Sequence, residues 1–183
     1  MKIIVAVCGA SGINYAVELL KTLKEKDIET YLVISKWAEK VTELETDYKI
    51  DEIKSMATEC SDEYDMAAPI SSSSFLVDGM IVIPATVKTV SGIANAYCDN
   101  LITRAADNVL KMKKRLVVCI RETPLSPATL ENLKKISLYG GIVMPLSPGF
   151  YHKPKDLNDI YKFIVGKCLD ALGIENNEFE RWK

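Results

Sequence analysis

The stretch LVVCIRETPLSP sets Arg121 beside Glu122 at the end of an apolar run. A guanidinium offers a planar fork of donors to an oxyanion, and a carboxylate can take and return a proton. An internal Arg–Glu pair closing a strand is the competing structural reading. Arg104 and Lys111 fall on one face of a helical pattern over 101–111, where two cations can receive a phosphate; a merely solvated face competes, with KMKKR suiting the helix dipole. Gly9-Ala10-Ser11-Gly12 follows the first apolar run and opens into a helix. Glycines permit a tight turn, and free N–H groups at a helix start favour an anion. The third glycine of a dinucleotide fingerprint is missing, and Ser11 as an ordinary helix cap is the plain alternative.

Further polar residues follow the other apolar runs. Ser35 can donate to a phosphate or cap the next helix. Within PATVKTVSGIANAY, Pro84 is expected to stop a strand, and Thr86, Lys88, Thr89 and Ser91 supply hydroxyls and a cation. The small residues Gly92, Ala94 and Ala96 then allow a flat ring, a neighbouring subunit or tight helix–sheet packing. Thr123 and Pro124 are expected to turn the chain and cap a helix. Pro145 and Pro148 stiffen a loop carrying Phe150 and Tyr151, a tyrosine able to cover an apolar group and touch a polar one. His152 reads as a surface residue rather than a base, and Lys167 as a solvated charge on the last helix.

Such residues need elements to hold them at one place. Five short apolar runs, IIVAV (3–7), YLVI (31–34), MIVI (80–83), LVVCI (116–120) and IVM (142–144), read as parallel strands covered on both faces. Between them lie helical patterns. Ile13, Ala16, Val17, Leu20 and Leu23 form one stripe, with Glu18, Lys21 and Glu25 outward. Leu157, Ile160, Tyr161, Ile164, Cys168 and Leu169 form another, which Gly173 ends. The alternation predicts an α/β fold, an open doubly wound, mainly parallel sheet with helices on both faces and right-handed crossovers. Ligands of such sheets bind beyond the carboxyl ends of the strands, where the residues above fall. The polar, acidic stretch over 48–68 has no readable periodicity.

The chain has 183 residues, expected as a single domain over 1–183, and a formal charge of −2 with 48% hydrophobic residues. No excess of Lys and Arg suits nucleic acid, no apolar run suits a membrane span, and MKIIVAV lacks the rest of a signal peptide. A cytoplasmic location is the expectation. Five cysteines without CxxC spacing read as reduced core thiols, and one histidine makes a structural zinc site an unsuitable reading.

Taken as an ordered set, CGASG, VISK, SSSSF, PATVKTVSGIAN, DNLITRAADNVLK, RETPLSP, PGFYHKP and the terminal LDALGI before RW resemble the UbiX family of flavin prenyltransferases, long described as aromatic acid decarboxylases. The resemblance runs almost the whole chain and implies a flavodoxin-like, Rossmann-like flavoprotein. It implies transfer of the dimethylallyl group of dimethylallyl monophosphate to N5 and C6 of reduced FMN. Phosphate leaves, without a metal, and prenylated FMN goes to a UbiD-type decarboxylase. Carried across by position, Gly9, Ala10, Ser11, Ser35, Thr86, Val87, Lys88, Thr89 and Arg121 fall at FMN contacts. Glu45, Arg104, Lys111, Tyr151 and Lys167 fall around the prenyl phosphate. Ser11, Glu45 and Glu122 fall at catalytic positions, with Ser11 near N5 and Glu122 assisting phosphate departure and proton transfer. A homo-oligomer, trimer-based and dodecameric, with sites at subunit contacts is implied in the same way.

The sequence departs from the family at Ser73, where glycine is frequent, at Ala85-Thr86, where Cys-Ser is, and at Lys167, where arginine is. Lysine keeps the charge but loses bidentate geometry. Two other readings share the flavin loops: an FMN-dependent cysteine-type decarboxylase, which the resemblance ties to a histidine in mid-chain, and a non-catalytic FMN-binding subunit of a decarboxylase. The single histidine here, His152, comes late.

Overall fold

The computed structural model describes residues 1–182. Six strands, β1 (Lys2–Val7), β2 (Glu29–Ile34), β3 (Glu59–Asp62), β4 (Gly79–Ala85), β5 (Arg115–Ile120) and β6 (Ile142–Val143), form one sheet in the order β3-β2-β1-β4-β5-β6. Every pairing is parallel. Seven α-helices accompany it: α1 (Ile13–Glu25), α2 (Lys36–Glu45), α3 (Ile50–Lys54), α4 (Val87–Ala94), α5 (Leu101–Lys111), α6 (Pro127–Leu138) and α7 (Leu157–Leu172).

Alternation along the strands explains the two helix layers. In β1, Ile3, Val5 and Val7 face a core shared with α1 and α7, while Ile4 and Ala6, and Cys8 just past the strand, face a core shared with α4 and α5. The chain moves outward from β1 with α1 on one face, then from β4 the other way with α4, α5 and α6 on the opposite face, as crossovers of one hand require. The reversal lies between β1 and β4. Their carboxyl ends therefore diverge into separate loops and leave a crevice for a ligand.

Four expectations change. A sixth strand, β3, lies in the stretch that had no periodicity: its four residues ECSD sit at the sheet edge and need no apolar run. Pro84 does not end its strand. The β4–β5 register shifts between Val82 and Ala85, so Pro84 occupies an irregularity where no ladder N–H is required, and Ala85 faces the same core as Met80 and Val82. Ser126, not Thr123 or Pro124, caps α6, its Oγ accepting the Thr129 N–H at 3.1 Å, with Pro127 at the first helical position. Leu157 stands exposed at the first turn of α7 rather than in its buried stripe, and Gly173 ends that helix in the left-handed region as expected.

Candidate active site

Three helix starts meet one cleft of about 370 Å³ at the carboxyl end of the sheet, lined by Cys8, Gly9, Ser35, Lys36, Trp37, Glu63, Tyr64, Thr86, Lys88, Thr89, Asn100 and Ile102. Ser35 caps α2, its Oγ accepting the Ala38 N–H at 3.1 Å. Thr86 caps α4 in the same way from Thr89 at 3.2 Å, and Asn100 caps α5 from Thr103 at 3.0 Å. Capping and ligand binding are not alternatives here. The Ser35 hydroxyl oxygen accepts from its helix and keeps a proton to donate, whereas the Thr86 hydroxyl donates to that of Thr89 at 3.0 Å, which in turn donates to Cys8; the three converging dipoles favour an anion.

The first loop is built for close approach. A Cβ on Gly9 would lie 2.5 Å from Cβ of Trp37 and 2.9 Å from its carbonyl carbon, so only glycine lets the start of α2 pack there. Ser11 is half-buried and does not cap α1; the cap position is Gly12, at φ 106, with no side-chain bond. Glu45, on the last turn of α2, reaches back instead, its Oε2 accepting the Gly12 N–H at 2.8 Å. This bond ties the Ser11 loop to α2 and places a carboxylate beside Ser11 in the chain.

Two further residues line the cleft: Cys8, a reduced core thiol as expected, and Glu63, which had no reading in the sequence. Cys8 is buried, and burial pushes its thiol up to about 11, against the opposing pull of the Thr89 hydroxyl that donates to its Sγ at 3.3 Å. It is a neutral wall. Glu63 is 6% exposed, and its carboxylate accepts the Lys36 N–H at 2.8 Å and the Asn100 amide at 3.5 Å. It stitches the starts of α2 and α5 together. Its only sequence signal was an acidic residue directly after an unrecognised strand.

Arg121 and Glu122 leave β5 exposed, and among the described residues neither forms an ion pair. The internal-pair reading is thus displaced. The Arg121 N–H donates to the Ala85 carbonyl at 3.2 Å, which ties it to the β4 loop that carries Thr86, Lys88 and Thr89. Glu122 Oε1 accepts the Thr123 N–H at 3.1 Å. Lys88 pairs loosely with Asp99 at 3.5 Å, and Val87 is the half-buried first residue of α4.

The remaining cations form separate groups. On α5, Arg104 and Lys111 flank Asp107, each 3.6 Å from its Oδ2, and Arg104 Nε donates to the Ser71 carbonyl at 3.0 Å. On α7, Lys167 lies with its Nζ 5.3 Å from the Phe179 ring centre. Tyr151 meets Phe163, Trp182 and His152 edge-on. His152 is not a surface residue: it stacks flat on Phe163 at 5.0 Å, and both ring nitrogens are buried without a partner.

The Flavoprotein family model matches residues 1–169. The flavin prenyltransferase UbiX of Methanocaldococcus jannaschii is 46% identical over 182 residues, covering 100% of this chain and 98% of that one. The protein of the same name from Escherichia coli K12 is 43% identical over 185 residues, covering 100% and 98%. The crystal structure of AnUbiX (PadA1) in complex with FMN and dimethylallyl pyrophosphate superposes with a TM-score of 0.98 at 41% identity, covering 100% of this chain and 97% of that one. The peptidyl-cysteine decarboxylase EpiD, at 17% identity and a TM-score of 0.62 over 81% of each chain, shares the fold.

Proposed function

The chain belongs to the Flavoprotein family, and from that premise we propose that it is a flavin prenyltransferase, joining the dimethylallyl group of dimethylallyl monophosphate to N5 and C6 of reduced FMN with release of phosphate. The observation that carries this reading is full-length similarity to flavin prenyltransferases together with a cleft whose residues suit a phosphorylated flavin. Reduced FMN supplies the nucleophilic ring atoms. Everything else falls to the protein.

Gly9, Ala10, Ser11, Ser35, Thr86, Val87, Lys88, Thr89 and Arg121 are assigned to FMN. The fit is physical: hydroxyls at two helix caps, a lysine and an adjoining arginine face an anion, and a small first loop admits a ring edge-to-backbone. Arg104, Lys111, Tyr151 and Lys167, with Glu45, are assigned to the prenyl donor. Breaking its allylic C–O bond builds charge on the departing phosphate, and preorganised cations stabilise that charge without reorganising. The Tyr151 ring, set edge-on to Phe163 and Trp182, offers the π-rich surface that a cation-like allyl fragment needs, and a neighbouring subunit over the exposed Tyr151 and Trp182 would exclude water from it. Glu122, unpaired and exposed beside Arg121, is free to exchange the proton, and Glu45 fixes the loop that holds Ser11.

The product serves a decarboxylase of UbiD type in the cytoplasm, and the active form is a homo-oligomer built on trimers, the dodecamer reported for a UbiX-like relative from Escherichia coli O157:H7 being its model. No described helix is long and apolar enough to cross a membrane. The decisive experiment is a mass spectrum of the flavin extracted after anaerobic incubation with reduced FMN and dimethylallyl monophosphate. A flavin heavier by one five-carbon unit, with phosphate released, is expected. Unmodified FMN from protein that binds FMN tightly, with dimethylallyl pyrophosphate equally inert, overturns the proposal.

A further inference from the structure

We infer that Asn108 is a positioning residue for Arg104, acting through the carbonyl of Ser71, and that it sharpens recognition of the donor phosphate; the inference rests on the assignment of Arg104 to that phosphate. The Ser71 oxygen accepts two side-chain bonds from α5, one from Arg104 Nε at 3.0 Å and one from Asn108 Nδ2 at 2.7 Å. The same Asn108 amide also reaches the Ile70 carbonyl at 3.3 Å. Residues four apart on a helix share a face, so the two side chains grip one acceptor from successive turns.

An arginine side chain has many rotamers, and a phosphate gains most from a guanidinium already held in plane. Arg104 is held by one acceptor, the Ser71 carbonyl, through Nε and by a loose ion pair of Nη1 with Asp107 at 3.6 Å, which leaves its other N–H groups for an anion. The carbonyl is a fixed point only if its loop is fixed. After the turn Pro69–Ser71 the chain is exposed at Ser72, Ser74 and Leu76 and returns to the core at Phe75, and Asn108 ties the turn itself to the helix. The fold gains little else from an amide there. Asn108 is 5% exposed, and its Oδ1 is buried without a partner, a cost that an apolar side chain of similar size avoids. What the residue contributes is the placement of its donors.

The test compares Asn108→Leu, Asn108→Ala, Arg104→Ala and the Arg104→Ala/Asn108→Leu double variant, each loaded with FMN and assayed with dimethylallyl monophosphate. Losing one positioning bond is expected to raise the donor KM about three- to tenfold in both Asn108 variants, with kcat at saturating donor and FMN affinity within about twofold of the parent. In the double variant Asn108→Leu is expected to add less than about twofold to the effect of Arg104→Ala, because it acts through the residue already removed. A role in packing alone gives additive effects or weakened FMN binding, and either overturns the inference. So does an unchanged KM in the Asn108 variants while Arg104→Ala raises it. An unchanged KM in Arg104→Ala overturns this inference together with the assignment of Arg104 beneath it.

Discussion

Glu122 carries the sharpest residue-level claim because its surroundings leave it nothing structural to do. Its neighbour Arg121 does not pair with it, and its one bond is a local one to the Thr123 N–H. Glu122→Gln keeps size and that acceptor but cannot exchange a proton. Turnover is expected to fall by about 10²- to 10⁴-fold, the usual contribution of a positioned acid or base, with FMN affinity unchanged. Flavin titration beside single-turnover kinetics separates the two, and full turnover removes the role. The residue types here were legible in the sequence, since Arg121, Glu122, Ser35, Thr86, Lys88 and Thr89 each follow an apolar run that becomes a strand. Glu63 and the stacked ring of His152 were not, because their significance lies in what packs over them and adjacent residues do not encode it.

At the level of elements, the runs that form β1, β2, β4 and β5 were readable because parallel strands buried on both faces leave a near-continuous apolar signal, whereas IVM, expected as a strand covered on both faces, gives only the two-residue edge strand β6, with Ile142 exposed and Val143 half-buried. Edge strand β3 has no such signal, and Pro84 misled because a register irregularity absorbs the missing N–H. The segment after α7 was also invisible, being held by polar bonds and aromatic contacts: Arg181 forks onto Asp170 at 2.8 and 2.9 Å, Phe179 packs on Phe163, and Trp182 meets Tyr151. Arg181 beside Asp170, helped by the Asn176 amide, holds that carboxyl below its ordinary range. A depressed folded value stabilises above the unfolded one, so the anchor is intact above about pH 4 and weakens as pH falls through the folded value. In a Trp37→Phe background Trp182 is the sole tryptophan. Trp182 is largely exposed, so it reports the segment's mobility rather than its hydration: its fluorescence anisotropy is expected to fall on acidification, and Asp170→Ala to show the lowered anisotropy already at pH 6. Anisotropy that ignores both changes means that the aromatic contacts alone hold the segment.

For the whole molecule the decisive fact is which face of the sheet each cation occupies. Arg104 and Lys111 ride on α5, whose buried side packs with α4 on one face, whereas Lys167 rides on α7 and Tyr151 packs on Phe163, which belongs to the core of the other face. Arg104 stands in the first turn of α5, Lys111 is its last residue and Lys167 lies inside α7; with packed layers about 10 Å apart, side chains so placed on opposite faces of one sheet do not converge on a single phosphate. Two copies can, if α5 of one chain meets the Tyr151 and α7 region of the next. The exposed apolar residues Trp37, Leu138, Phe150 and Trp182 are consistent with surface covered by such a neighbour. The arrangement has a quantitative signature. At donor concentrations well below their raised KM, Arg104→Ala and Tyr151→Ala chains are each expected to show little activity, but dissociated, mixed in equal amounts and reassembled they regain about a quarter of parental activity, since a head-to-tail site then draws both intact halves in about one case in four. A mixture no more active than its components would place Arg104, Lys111, Tyr151 and Lys167 of one site within one chain and would require α5 or the loop of Tyr151 to move across the sheet edge to bring them together.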